Sequence, residues 1–84
     1  MHTIELSLKH QAAVNETGKA ITDAINAVIG EDWSFELPPA RIISSRASAG
    51  GGVRVVEWAF EDTAVFLLFC QWLAENGDDV LSQF

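Results

Sequence analysis

The stretch Val53–Leu73 constrains the fold of this chain more than any other, because it is apolar almost throughout. The whole sequence has eight aromatic residues, three Trp and five Phe, and five of the eight lie in this stretch. Its first part, Val53–Phe60, is rich in valine and aromatic residues and therefore predicts a strand. A helix follows directly, and together they carry more apolar surface than one small domain easily hides. The block predicts either a deeply buried central helix or a surface kept for a partner.

The predicted second helix has two apolar sectors when its residues are placed about 100° apart. One stripe of the helix is expected to face the core: Val65, Leu68, Phe69, Trp72 and Leu73. One side of the preceding strand is expected to face the same core, with Val56, Trp58 and Phe60. The other sector contains Phe66, Leu67, Cys70 and Ala74. Glu61 and Asp62 open the helix, and Asn76-Gly77 is predicted to end it. The second sector is left for the first helix, the tail, a second protomer or a target.

The first part of the chain predicts a strand and an amphipathic helix. Thr3–Leu8 alternates apolar and polar side chains, which is typical of a strand with one buried face. Lys9–Val14 fits either a loop or an early helical turn. A helix with one apolar stripe then begins at Asn15 or Thr17, either of which can cap it. It ends before Gly30, which suits the left-handed position beyond a helix.

The middle of the chain predicts a hairpin. Trp33–Leu37 is a short half-apolar segment that stops at two prolines, and Ala40–Ser45 resumes as a strand. A flexible, glycine-rich hairpin loop over residues 47–52 joins it to the strand described above. The end of the chain, Asp78–Phe84, is expected to form a final apolar turn that packs back on the body. The order β-α-β-β-α predicts an α+β fold, a three-stranded, mostly antiparallel sheet packed with two helices.

The composition fits one soluble domain. The 84 residues are 49% hydrophobic and 20% charged, a balance typical of a globular protein, and we expect residues 1–84 to form a single domain. One cysteine excludes an internal disulfide framework. The sequence contains no apolar run long enough for a membrane span and no signal-peptide pattern. We therefore expect a cytoplasmic protein without membrane contact.

The net charge of −7 argues against direct binding of nucleic acid, which normally requires a basic surface. An acidic protein can instead bind a basic protein surface, although good solubility is the simpler interpretation. The acidic residues crowd the last third of the chain: Glu57, Glu61, Asp62, Glu75, Asp78 and Asp79. The three arginines gather around the central hairpin instead. An acidic binding surface would therefore be local.

No arrangement of residues predicts catalysis. His2, His10 and Cys70 lack a recognisable metal-ligand spacing, and Cys70 has no basic neighbour in sequence that would make it a thiolate. The adjacent Glu61 and Asp62 diverge around the helix and do not share a proton. A chain of this length also leaves little room for a substrate pocket. We predict a protein that is not an enzyme and has no cofactor and no metal.

The stretch from Val56 to Phe69 resembles a pattern common in small phage-encoded proteins. An aromatic strand there ends in Phe-Glu-Asp, and a helix with alanine and phenylalanine follows at similar spacing. The resemblance implies an origin in a phage or mobile element. Among such proteins, short acidic α+β chains without catalytic motifs resemble anti-CRISPR proteins. Those inhibitors occupy a surface of a host nuclease complex, in several cases the basic groove meant for DNA.

Our main hypothesis is therefore an anti-CRISPR-like inhibitor that acts in the cytoplasm of an infected bacterium. Its partner would be a host protein or nuclease complex with a basic surface, bound without catalysis. The candidate partner-binding residues are Glu57, Glu61, Asp62, Glu75, Asp78, Asp79, Phe66 and Leu67. A first alternative is a phage structural or assembly protein that forms a homodimer or larger homo-oligomer through the apolar second helix. A second alternative is a small enzyme or ligand-binding domain.

Overall fold

The computed structural model of the chain describes residues 1–30, 38–47 and 54–81. These residues form three strands and two helices in the predicted order β-α-β-β-α, which confirms the α+β fold. The elements are β1 (His2–Leu8), α1 (Gln11–Val28), β2 (Ala40–Ala47), β3 (Arg54–Phe60) and α2 (Thr63–Val80).

The three strands form one sheet in which β3 lies at the centre and the order is β1-β3-β2. Both outer strands pair antiparallel with β3, and they therefore run parallel to each other without pairing. The predicted antiparallel sheet is confirmed. The central position explains why β3 is the most apolar strand, since both of its neighbours shield it from water. The ladder between β2 and β3 is interrupted between Ile42 and Ser44, where Ile43 forms a bulge.

Both helices lie on one face of the sheet, and they contact each other as well as β1, while α2 also contacts β3. The N-terminal half of α1 faces the C-terminal half of α2, so the two helices are antiparallel. Alternate residues of β1 and β3 point into the core between the two layers. The buried core consists of Leu6, Leu8, Ala13, Ile21, Ala24, Ile25, Ala40, Val56, Phe60, Val65, Phe69 and Val80.

Aromatic side chains fill the centre of this core. The ring of Phe60 stacks on Phe69 with 5.5 Å between centroids and meets the edge of Phe66 at 5.3 Å. Phe69 in turn stacks on Trp72 at 5.8 Å. Burying Phe60 and Phe69 completely stabilises the fold by roughly 2–3 kcal/mol each, and each aromatic pair adds about 1 kcal/mol. The strand and helix of the apolar block are thus the main folding element.

Helix α1 starts earlier than predicted. It begins at Gln11, and neither Asn15 nor Thr17 caps it. The cap is His10, whose Nδ1 accepts a hydrogen bond of 3.0 Å from the amide of Ala13. Thr17 is buried inside the helix and donates its hydroxyl proton to the carbonyl oxygen of Ala13 at 2.8 Å. Histidine is not among the residues that usually cap the start of a helix, so the sequence did not predict this cap.

Helix α2 ends later than predicted. It continues through Gly77 to Val80, so the prediction of an end at Asn76-Gly77 is wrong. Val80 is completely buried, and its packing outweighs the stop signal of Asn-Gly. The predicted final turn is therefore partly helical, although it does pack back on the body. Leu81 forms a bridge with Leu8 of β1.

Two other predicted helix boundaries are confirmed. Gly30 follows α1 with a φ of 91°, in the left-handed region that glycine tolerates. Asp62 caps α2, and its carboxylate accepts a 3.0 Å hydrogen bond from the amide of Val65. The segment Trp33–Leu37, the loop after Ala47 and the last three residues of the predicted tail lie outside the described residues.

Candidate partner-binding surfaces

The acidic residues proposed for partner binding do not form one surface. Glu57 lies in β3 on the sheet face opposite the helices, because its neighbours Val56 and Trp58 point towards them. It is half-buried between Glu5 of β1 and Ser44 of β2. An ion pair of 3.6 Å between Arg46 and Glu5 spans this face from one outer strand to the other. Glu57 is therefore separated from the carboxylates of the helices by the whole sheet.

Glu61 and Asp62 lie at the start of α2. Glu61 pairs with Arg41 at 3.4 Å, and both side chains are about half exposed, so this ion pair contributes little stability. Asp62 serves as the helix cap described above. Together with Ile29 and Pro38, these three residues border a shallow hollow of about 570 Å³. Among the described residues, one arginine offsets one of the two carboxylates here, so this group of side chains is a weaker match for a basic partner than the opposite end of α2.

Glu75, Asp78 and Asp79 lie at the opposite end of α2, which is 18 residues and therefore about 27 Å long. All three are exposed. The carbonyl dipoles make this end of a helix negative, so three carboxylates here oppose the helix dipole. No basic residue occupies the last turn, and the nearest compensation is Lys9, whose Nζ donates to the main-chain oxygen of Asp78 at 2.6 Å.

A groove of about 420 Å³ between α1 and α2 brings carboxylates of both helices together. Trp72 is half-buried at this groove with one ring stacked on Phe69, so it presents part of an aromatic surface. The lining residues are Glu16, Lys19, Ala20, Asp23, Trp72, Asn76 and Asp79. Three carboxylates and one ammonium give the groove a net charge of −2. An aromatic face between carboxylates suits a lysine or arginine side chain.

Sequence reasoning missed Glu16 and Asp23 as members of this site. Both are exposed and lie outside the apolar stripe of α1. They stand seven residues apart and so share one side of the helix, a signal that was present in the sequence. Their proximity to Asp79 depends on the antiparallel packing of two helices far apart in the chain. A local sequence pattern does not predict how two distant helices pack together.

The apolar sector of α2 is smaller than the sequence indicates. Phe66 is half-buried and stacks on the ring of His2 with 4.8 Å between centroids, besides its contact with Phe60. Leu67, in contrast, is 59% exposed, and Leu68 is 39% exposed although it was predicted in the core. Contact with β1 rotates the buried stripe of α2 towards Phe66 and away from Leu68. Phe66 is therefore a packing residue, and Leu67 remains a candidate for partner contact.

Charge is distributed unevenly between the two layers of the molecule. All three arginines, Arg41, Arg46 and Arg54, lie in β2 and β3. Five exposed carboxylates lie on the two helices instead, against a single helical lysine: Glu16, Asp23, Glu75, Asp78 and Asp79. Within the part of the chain that the structure describes, the helix layer is thus the more acidic side.

Within residues 1–30, 38–47 and 54–81, no three side chains of His, Cys, Asp or Glu are grouped so that they could hold a metal ion. None of the helices in this part of the chain is long and apolar enough to cross a membrane. No family model matches the sequence, and neither the curated proteins nor the solved structures compared with it include a match.

Proposed function

We propose that the protein acts without catalysis, by binding a basic surface of a partner protein through the acidic face of its helices. We define this acidic helix face as the groove carboxylates Glu16, Asp23 and Asp79 together with Glu75 and Asp78. The observation that carries the proposal is the meeting of carboxylates from both helices beside the half-buried ring of Trp72.

The position of the carboxylates on α2 supports a binding role. Glu75 and Asp79 are four residues apart on one helix side, where like charges repel, and both oppose the helix dipole. These residues lower the stability of the helix that carries them. The stability of the fold therefore does not explain why these carboxylates are placed here. Their charge would, however, attract a basic partner.

The proposed partner is a nuclease complex of bacterial host defence. This choice follows from the resemblance of residues 56–69 to small phage-encoded proteins and, through them, to anti-CRISPR proteins. Such a complex exposes a basic groove for DNA, and an acidic protein can occupy it by charge complementarity. The proposed place of action is accordingly the cytoplasm of an infected bacterium.

The proposal is tested by neutralising the acidic helix face. The variant Glu16→Gln, Asp23→Asn, Glu75→Gln, Asp79→Asn keeps side-chain shape and removes four charges. We expect it to lose most of its affinity in a binding assay with purified nuclease complexes, and the affinity of the unchanged protein to fall steeply as salt rises. A matched control is Glu57→Gln, which removes a carboxylate on the opposite sheet face. An affinity that changes neither with salt nor with the four substitutions would refute the proposal.

A second candidate function is assembly into a homo-oligomer through α2. Two adjacent leucines, Leu67 and Leu68, are exposed on this helix, which favours such a contact. Sedimentation of the protein and of Leu67→Asp decides between the two functions. A defined oligomer that dissociates in the variant, while the circular dichroism stays unchanged, supports assembly. Phe66 is unsuitable for this test because its ring packs on Phe60 and His2.

A further inference from the structure

The outer edge of β2 has no strand partner among the described residues. Every ladder pair of Ala40–Ala47 is made with β3, and no other backbone hydrogen bond joins this strand to the described chain. The other outer strand, β1, is partly covered at its C-terminal end. Leu81 pairs with the end of β1 at Leu8, and the amide of Lys9 donates to the carbonyl of Val80. An unpaired edge presents alternate amide and carbonyl groups to any extended chain that approaches it.

Apolar side chains accompany this edge. Ile42 and Ile43 are 49% and 45% exposed, although most isoleucines are buried in folded proteins. Ile42 lies on the helix-side face beside Trp58, and the principal helix contacts are with β1 and β3 rather than β2. The bulge at Ile43 turns that side chain out of the regular alternation. The edge therefore combines backbone groups with two apolar contacts.

The charge of β2 indicates what kind of chain suits this edge. The strand contains Arg41 and Arg46 and no carboxylate, within a protein of net charge −7. Both arginines lie on the sheet face opposite the helices, while Ile42 lies on the helix side. Arg41 pairs with Glu61 and Arg46 with Glu5, but these side chains are about half exposed, so the ion pairs contribute little and a partner's carboxylates can compete for the arginines. An added strand would present its carboxylates to the arginines and its apolar residues to Ile42 if the two types alternated.

A second copy of β2 fits this edge poorly. Pairing the whole strand Ala40–Ala47 antiparallel with itself places Arg41 opposite Arg46 at both ends. Like charges directly opposite each other destabilise a strand pair. The bulge also disturbs the flat geometry that such self-pairing needs.

We propose that the β2 edge binds an extended segment of a partner protein in which apolar side chains alternate with carboxylates, adding a fourth strand to the sheet. This site is separate from the acidic helix face, since it lies on the sheet layer and selects the opposite charge. The protein would then hold a partner at two places, a basic surface at the helices and an acidic strand at β2.

The probe is a short, end-capped peptide that alternates valine and glutamate, added to the full-length protein. We expect slowed amide hydrogen exchange at alternate residues of Ala40–Ala47, with no change at the groove between α1 and α2. N-methylation of alternate peptide residues removes backbone hydrogen bonds and should weaken binding by about tenfold or more. Equal affinity of the methylated peptide, or protection elsewhere than β2, would overturn the proposal.

Two further comparisons test whether charge selects the bound strand and whether a second copy of the protein occupies the β2 edge. A lysine-for-glutamate peptide and the variant Arg46→Glu should each abolish binding of the probe, whereas the matched charge change Lys19→Glu on α1 should not. Equal binding of the lysine peptide contradicts the proposal. Protection of β2 without any peptide, if it depends on protein concentration and disappears in Ile43→Lys, would show that a second copy occupies the edge instead. The acidic helix face would be unaffected by either result.

Discussion

The single hydrogen bond from Ala13 to the ring of His10 decides where α1 begins. Nδ1 accepts this bond at 3.0 Å and so supplies the acceptor that the start of a helix needs. Most helices use serine, threonine, aspartate or asparagine for this purpose. The sequence offers Asn15 as such a residue, but a start there would leave Ala13 outside the helix. Ala13 is completely buried, and its burial favours the longer helix.

Replacing His10 tests the cap. We expect His10→Ala to lower the free energy of unfolding by about 1 kcal/mol, because an orphan amide loses its acceptor. His10→Asp keeps an acceptor and adds a negative charge at the positive helix end, so it should be at least as stable as the unchanged protein. Urea unfolding followed by tryptophan fluorescence measures both. The neighbouring exposed Gln11→Ala is the control, and a loss of equal size there would exclude a specific cap.

At the scale of single elements, the sequence predicts existence and order better than it predicts limits and faces. Strand β3 is identified by its valines and aromatics, and β1 by its alternation, because these patterns are local. The end of α2 is missed because Val80, which is buried by contacts distant in sequence, outweighs Asn76-Gly77. The core assignment of Leu68 is wrong, and the packing of Phe66 against β1 is missed, because a helical wheel contains no information on where β1 lies.

Glycine substitutions test the length of α2. Gly77 lies inside the helix, and an added Cβ would meet only Leu81 Cδ1 at an ordinary 3.6 Å. We expect Gly77→Ala to stabilise the protein by about 0.5–1 kcal/mol. Gly30→Ala is the counterpart, and it should destabilise by about 1 kcal/mol because of its positive φ. Thermal unfolding compares them. Destabilisation by Gly77→Ala would mean that the helix ends at this glycine.

Adjacent residues of α2 test its rotation. Phe66 contacts two aromatic rings, whereas Leu67 is exposed. Phe66→Ala should therefore cost about 2–4 kcal/mol, and Leu67→Ala should stay within about 0.5 kcal/mol of the unchanged protein. Denaturant unfolding of both variants gives the comparison. Similar costs at the two positions would contradict the packing of Phe66 against His2 and Phe60.

At the scale of the whole molecule, the acidic helix face and the arginine-bearing strands lie on different layers. The sequence indicated a cluster of carboxylates in its last third. The fold divides that cluster among the sheet face opposite the helices, the start of α2 and its end, and it adds Glu16 and Asp23 from α1. A binding surface made by two elements depends on tertiary packing, so this part of the candidate site could not be read from residue order.

The arrangement predicts that stability and binding change in opposite directions. Replacing Glu75 by Gln and Asp79 by Asn removes a like-charge pair that opposes the helix dipole. Each change should raise the free energy of unfolding by roughly 0.3–1 kcal/mol at low salt. The same variant should bind a basic partner more weakly, as measured by calorimetric titration. Glu57→Gln, on the other sheet face, should leave binding unchanged, and a variant that is both less stable and fully active would contradict this account.

The order of the strands has a consequence for synthesis of the protein. His2 pairs with Phe60, and β2 finds its only described ladder on the same strand. A ribosome that has translated β1, α1 and β2 has therefore produced two strands with no common partner. The sheet can assemble only after β3, the last strand to be made, has emerged. Until then the apolar residues of the nascent chain have no sheet to pack against, and the chain is prone to aggregate.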